Sequence, residues 1–228
     1  QENNIRFSRY DIAQSYMIFG GIPYYLGYFD GEYSLAQNVD RMIFARNAKL
    51  KDEYDRLYQS VFINPDTEKT IVTFLATRNA GYTRKEITEK LGLSDGGRLS
   101  KNLNALIASD FVVKYVPFGM GKREEHYKVV DPFCLFYLHF AREINGGSES
   151  FWQENVTAQP VVTWRGLAFE HVCFNHILQI KKALGISGVI TSVSAWSKRE
   201  DDQDGTQIDL LLTRNDNVLK KQAPLKQH

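Results

Sequence analysis

Arg98, Lys101 and Asn102 stand at i, i+3 and i+4, so a helix would turn all three to one side. A guanidinium, an ammonium and a carboxamide placed together can read base edges and bind phosphates in a DNA major groove. Lys122 and Arg123 close a glycine-bearing stretch that begins at Pro117. A hairpin tip there would carry them to the DNA backbone or the minor groove. From Tyr82 to Val130 there are nine basic and six acidic residues, whereas the whole chain carries a formal charge of only +1. That balance excludes a uniformly basic coat and leaves one local patch. The same charges equally suit the solvated face of a protein-docking module.

Two carboxylates form a second constellation. Glu170 lies beside an apolar helical stripe continued by Phe174 and Ile177, and Asp209 interrupts the apolar run Gln207–Leu212. A buried carboxylate costs several kcal/mol unless it is paired or metal-bound. Converging carboxylates can hold the Mg²⁺ that activates water for phosphodiester cleavage. They can also simply accept backbone hydrogen bonds, and spacing alone favours that simpler role. His171 and His176 are five apart, off the i, i+4 spacing of paired ligands, so core packing is expected of them and of Cys173. Cys134 and Cys173 are the only cysteines, and both read as buried thiols of a reducing compartment. Gly119-Met120-Gly121-Lys122 falls short of a phosphate loop, because its glycines are too close and Arg123 replaces the hydroxyl residue. ATP is therefore not an expected cofactor.

The elements around these residues follow from periodicity. The first 60 residues read as helices: Ile12–Phe19 ending at Gly20-Gly21, Leu35–Arg46 behind a Ser34 cap, and Leu50–Phe62. Ile71, Phe74 and Leu75 then share one face of a helix. Thr83-Arg84-Lys85-Glu86 is a capping box that opens a short helix to Leu91. A third helix, Arg98–Ser109, buries Leu99, Leu103, Leu106 and Ile107. Phe111–Val116 and Glu124–Val130 read as the strands of a hairpin. Three helices with a tight turn between the last two, followed by a hairpin, give a winged helix-turn-helix layout. Beyond it, the spacing predicts helices at Pro132–Ile144 and Arg165–Leu184 and strands at Val189–Trp196 and Gln207–Leu212. A charged loop, Ser197–Gly205, would separate those strands, and together the elements imply a small α/β domain.

Several motifs in order resemble one family. Tyr16-Met17-Ile18-Phe19-Gly20-Gly21-Ile22-Pro23-Tyr24-Tyr25-Leu26 is similar to the G-G-[IL]-P lid signature of archaeal and Bacteroides-type AAA+ ATPases. Ser94-Asp95-Gly96-Gly97-Arg98-Leu99, with Leu103 and Leu106, resembles that family's winged helix. Asp131-Pro132-Phe133-Cys134-Leu135-Phe136-Tyr137 is similar to its D-x-F-x-x-F-[YW] segment. Trp164-Arg165-Gly166-Leu167-Ala168-Phe169-Glu170 and Gln207-Ile208-Asp209-Leu210-Leu211 resemble its last domain, which is like the PD-(D/E)XK nucleases. The resemblance runs over about residues 10–217 and lacks the family's phosphate-loop core. It also lacks an E-x-K strand after Asp209, where Lys220-Lys221-Gln222-Ala223-Pro224-Leu225 stands instead. It implies that Glu170 and Asp209 are half of a vestigial Mg²⁺ site.

These readings combine into an α+β chain of three parts: a helical lid remnant (1–64), a winged helix-turn-helix (65–131) and a truncated α/β PD-(D/E)XK-like domain (132–228). The expected role is non-catalytic. The winged helix would bind double-stranded DNA or a partner through Arg98, Lys101, Asn102, Lys122 and Arg123. A metal-dependent nuclease, or a docking module for an ATPase core or a second chain, are the alternatives. No apolar run approaches the roughly 18 residues of a membrane span, and the polar start Gln1–Asn4 is unlike a signal peptide. A cytoplasmic location is expected.

Overall fold

The computed structural model describes residues 5–63, 65–142, 147–200 and 203–214. The chain is mixed helix and sheet, 55% helical, with two small antiparallel sheets. Helix α1 (Arg9–Phe19) starts at a capping box in which Ser8 and Asp11 exchange side-chain bonds, and it stops at Gly20 with φ +65°. Helix α2 (Pro23–Leu26) has proline in its first turn, where no N–H is missed. Helix α3 (Leu35–Val39) is capped by Ser34, with Gln37 reciprocating. The single helix expected to reach Arg46 instead widens into a π turn over Asp40–Phe44. Asp40 explains the wide turn's value: it is 2% exposed and its carboxylate is committed to a distant element.

Helix α4 (Glu53–Val61) begins three residues later than the apolar pattern implied. Helix α5 (Asp66–Leu75) leads to the short strand β1 (Tyr82–Thr83). Helices α6 (Arg84–Leu91) and α7 (Gly97–Ala108) follow, and the Thr83–Glu86 capping box forms as the sequence implied. Strands β2 (Val112–Tyr115) and β3 (His126–Val129) complete a three-stranded antiparallel sheet in the order β1-β3-β2. Gly81 makes the corner into β1. Its φ is +70°, and a Cβ there would lie 2.1 Å from the Tyr127 carbonyl oxygen.

Helix α8 (Pro132–Phe136) is capped by Asp131, whose Oδ1 accepts from Cys134 N at 2.6 Å. It passes into a second π turn, Tyr137–Ala141. The rest comprises α9 (Phe151–Asn155), α10 (Gln159–Asn175), α11 (Ile177–Ala183), β4 (Thr191–Glu200) and β5 (Gln203–Arg214). The helix expected over Arg165–Leu184 therefore starts earlier and is broken at His176. The His176 ring bonds the Val172 carbonyl at 2.8 Å, a local side-chain bond that competes with the helical ladder.

Strands β4 and β5 form a two-stranded antiparallel ribbon, paired from Thr191↔Arg214 to Glu200↔Gln203. The charged loop expected over Ser197–Gly205 is thus mostly strand. Polarity signalled a loop, but ladder bonds come from the backbone and pass through polar residues. The parallel layering of an α/β domain is absent among the described residues. The apolar run around Asp209 is not enclosed either: Ile208 is 37% exposed and Leu210–Leu212 are half-buried.

One hydrophobic cluster joins the chain from Met17 to Ala168. Helix α1 lies against both α8 and α10. Phe136, Trp152 and Trp164 form its aromatic centre, with centroids 5.0–5.9 Å apart and planes 69–88° apart, the edge-to-face geometry that ring quadrupoles favour. Asp40 ties the first segment to this centre. Its carboxylate accepts from Trp152 N at 2.7 Å, Gln153 N at 3.1 Å and Gln153 Nε2 at 2.9 Å, so it caps α9 from across the sequence. Burial raises the Asp40 carboxyl above its ordinary range, against the pull of these three donors.

Candidate nucleic-acid interface

The rotation of α7 is set by its buried side. Leu99, Leu103 and Leu106 are at most 3% exposed, and they seat the helix against α5. Arg98 and Lys101 consequently face solvent, while Asn102 is only half-buried. The sequence placed Asn102 outward with them, but as the neighbour of Leu103 it falls on the flank of the buried stripe. Asn104 is exposed three residues beyond Lys101. The sequence reading missed it, although the same i, i+3 spacing pointed to it.

The start of α7 is held by α6. Arg84 Nε donates to Asp95 Oδ1 at 2.7 Å, and its Nη2 donates to the Gly96 carbonyl at 3.1 Å. No side chain caps α7, and no acidic residue lies in its first turn. The positive end of the helix dipole therefore adds to the charge of Arg98. Among the described residues, no carboxylate pairs with Arg98, Lys101 or Arg123. The other basic groups of this region are mostly engaged: Arg84 with Asp95, Lys85 with Glu89 and Lys114 with Glu125. Lys128, counted by sequence in the basic surplus, is 4% exposed, with its ammonium 4.8 Å over the Phe174 ring. Burial removes it from the surface patch.

Between β2 and β3 the chain makes a loop and a short 3₁₀ turn, Lys122–Glu124. Arg123 is exposed there; the Lys122 side chain lies outside the described residues. Phe118 and Met120 are also exposed. The loop is anchored from outside its own hairpin. Phe118 N donates to the Ala195 carbonyl at 2.9 Å, where the β4–β5 register shifts between Ser194 and Trp196. The bulge frees that carbonyl from its ladder.

The carboxylate constellation resolves only in part. Glu170 is half-buried, and its Oε2 accepts from Asn79 Nδ2 at 2.5 Å. Asp209 belongs to β5, but its side chain lies outside the described residues, as do Lys220 and Lys221. No group of three or more His, Cys, Asp or Glu side chains able to share a metal occurs among the described residues. His171 is buried. Burial and the nearby Lys128 push its pKa down to about 3, which keeps the imidazole neutral. Cys134 is buried and lies 3.7 Å from Tyr58 Oη. Cys173 is half-buried rather than buried as expected, since it sits at the edge of α10. Burial raises both thiols, which disfavours the thiolate a nucleophile needs. No helix among the described residues is long and apolar enough to cross a membrane. No family model, curated protein or solved structure matches the chain.

Proposed function

We propose that this chain binds double-stranded DNA, with α7 entering the major groove and the β2–β3 loop lying on the adjacent backbone. The order α5, β1, α6, α7, β2, β3 with sheet order β1-β3-β2 supports reading residues 65–131 as a winged helix. In that motif the second helix of the helix-turn-helix is the reading helix. One observation carries the proposal. Arg98 and Lys101 are exposed and, among the described residues, without carboxylate partners, on a helix whose opposite side is locked into the core. With the helix already fixed by its packing, only side-chain entropy is lost when these cations meet phosphates or base edges. In this reading the role is non-catalytic, the location cytoplasmic, and the relation to AAA+ ATPases rests on the sequence resemblance.

The test is fluorescence anisotropy of a labelled duplex of about 20 base pairs, roughly two turns of B-DNA, across a salt series. Arg98→Ala and Lys101→Ala should each weaken binding by about 1–3 kcal/mol if the residue reads a base edge. Arg123→Ala should weaken all sequences alike and reduce the salt slope by about one. Unchanged affinity in the Arg98→Ala/Lys101→Ala double variant at low salt would overturn the proposal. The docking reading would then take its place. It is favoured by the apolar side chains exposed at Val162, Phe169, Leu178 and Ile190, which an ATPase core or second chain would cover.

A further inference from the structure

Asn104 is exposed on α7, and among the described residues it has no hydrogen bond, ion pair or ring contact. It caps nothing, because it lies in the interior of α7, which ends four residues later at Ala108. Asparagine suits a helix interior poorly, since its carboxamide competes for nearby backbone groups. Alanine would favour the helix more. Local preference therefore does not account for an asparagine here. A residue that breaks a local rule with no structural return is what a functional position is expected to show.

The buried stripe of Leu99, Leu103 and Leu106 decides which side of α7 faces away. At about 100° per residue, Gly97, Lys101, Asn104 and Ala108 fall on the opposite side, and all four are exposed. Arg98 stands on its flank. The rest of this surface is small: Gly97 has no side chain and Ala108 only a methyl group. Ser100, at the edge, turns its hydroxyl back to the Gly96 carbonyl at 3.3 Å. Helix α7 contains no acidic residue. Asp95, ahead of it, is held by Arg84, and Asp110 lies beyond its C-terminal end. A helix side with one carboxamide among small residues and cations can come close to base edges without repelling phosphates.

We propose that Asn104 reads an adenine in the major groove, which makes this chain selective for a DNA sequence. The inference rests on the DNA-binding reading above and names what that site recognises. A carboxamide matches adenine in two bonds: its N–H donates to N7 and its oxygen accepts from the N6 amine. It carries no charge and releases no counterion at a phosphate, so its value at this place is in base choice. Asn104 stands six residues beyond Arg98, about 9 Å along the helix axis at 1.5 Å per residue. At about 3.4 Å per base pair, the adenine should lie about two to three base pairs from the contact made by Arg98.

The test uses the full chain and a pool of duplexes with about ten randomised base pairs, one helical turn, whose bound fraction is sequenced. The parent should enrich a site with one adenine, at which any other base weakens binding roughly tenfold or more. Asn104→Ala should lose the preference at that position alone. It removes no charge, so its affinity for unselected duplex and its salt slope should match the parent's. Asn104→Gln keeps the carboxamide and should keep the adenine. The thermal midpoint of Asn104→Ala should be no lower than the parent's, since the position is exposed and alanine is the better helix former. Enrichment of no base, an adenine preference that survives Asn104→Ala, or equal weakening of every duplex by that change would overturn the inference and leave the DNA-binding reading standing. Failure of every duplex to bind the parent at low salt would overturn both.

Discussion

Substituting Gly81 by alanine tests how the three-stranded sheet is closed. Two penalties act at this position. The φ of +70° lies in the left-handed region, which costs a residue with a Cβ about 1–2 kcal/mol. The second penalty is steric: the new Cβ would stand 2.1 Å from Tyr127 O, 2.7 Å from Tyr127 C and 3.0 Å from Lys128 Cα. All three are backbone atoms of β3, so no rotamer can relieve the clash. Roughly an ångström of strand separation is needed. It would strain the Tyr82↔Tyr127 and Thr83↔His126 pairing and the bond from Arg78 Nε to the Gly81 carbonyl at 2.6 Å. Losing two or three such bonds adds about 2–3 kcal/mol, so Gly81→Ala should destabilise by about 3–5 kcal/mol. Gly92 is the internal control. Its φ is +63°, yet nothing lies within 4 Å of its Cβ position, so Gly92→Ala should cost only the conformational share, about 1–2 kcal/mol. Urea denaturation of the two variants beside the parent measures both. If the two costs agree within about 0.5 kcal/mol, the contact with β3 is not what reserves position 81 for glycine, and the reasoning fails.

Asp40→Ala should destabilise by about 2–4 kcal/mol, because the Trp152 and Gln153 N–H groups lose a charged acceptor; a loss under 1 kcal/mol in the urea midpoint would show that water replaces it freely. His171 should shape acid stability. Its folded pKa of about 3 lies below the ordinary imidazole value of 6.5, so its full contribution is present above pH 6.5 and is lost as pH falls toward 3. The slope approaches about 1.4 kcal/mol per pH unit. Thermal melts of His171→Gln should show a flatter acid limb than the parent, and parallel limbs would refute the assignment.

Elements with strong local signals were readable from the residues alone. The Thr83–Glu86 box, Gly92 at a helix end and the Leu99–Leu103–Leu106 stripe of α7 are all written within a turn or two of the structure they make. What escaped leaves no mark in local apolar periodicity. The π turn at Asp40 has no local cue, since its carboxylate is engaged with residues that follow α8. The break at His176 arises from a ring bond to Val172 that periodicity does not register. The ribbon reaching Glu200 was hidden because a backbone ladder needs no apolar alternation. Of the residues proposed to bind DNA, Arg98 and Lys101 stand outward as their spacing implied. Asn102 was displaced by the width of the apolar stripe, and Lys128 sits in the core, which charge counting cannot see.

The bonds from Asp40 to Trp152 and Gln153 span 112 and 113 residues, and α1 has its packing partners in α8 and α10. Translation sets a delay on these contacts. At about 5–20 residues per second, roughly 5–20 s pass between the emergence of Asp40 and that of its partners. Throughout that interval Tyr25 and Phe44 lack the Phe133, Phe136 and Phe151 rings that pack against them in the finished protein. Residues 66–129, whose sheet is made within the segment, can close first. The N-terminal helices would then wait on an already folded neighbour, exposed to chaperones and to association with other nascent chains.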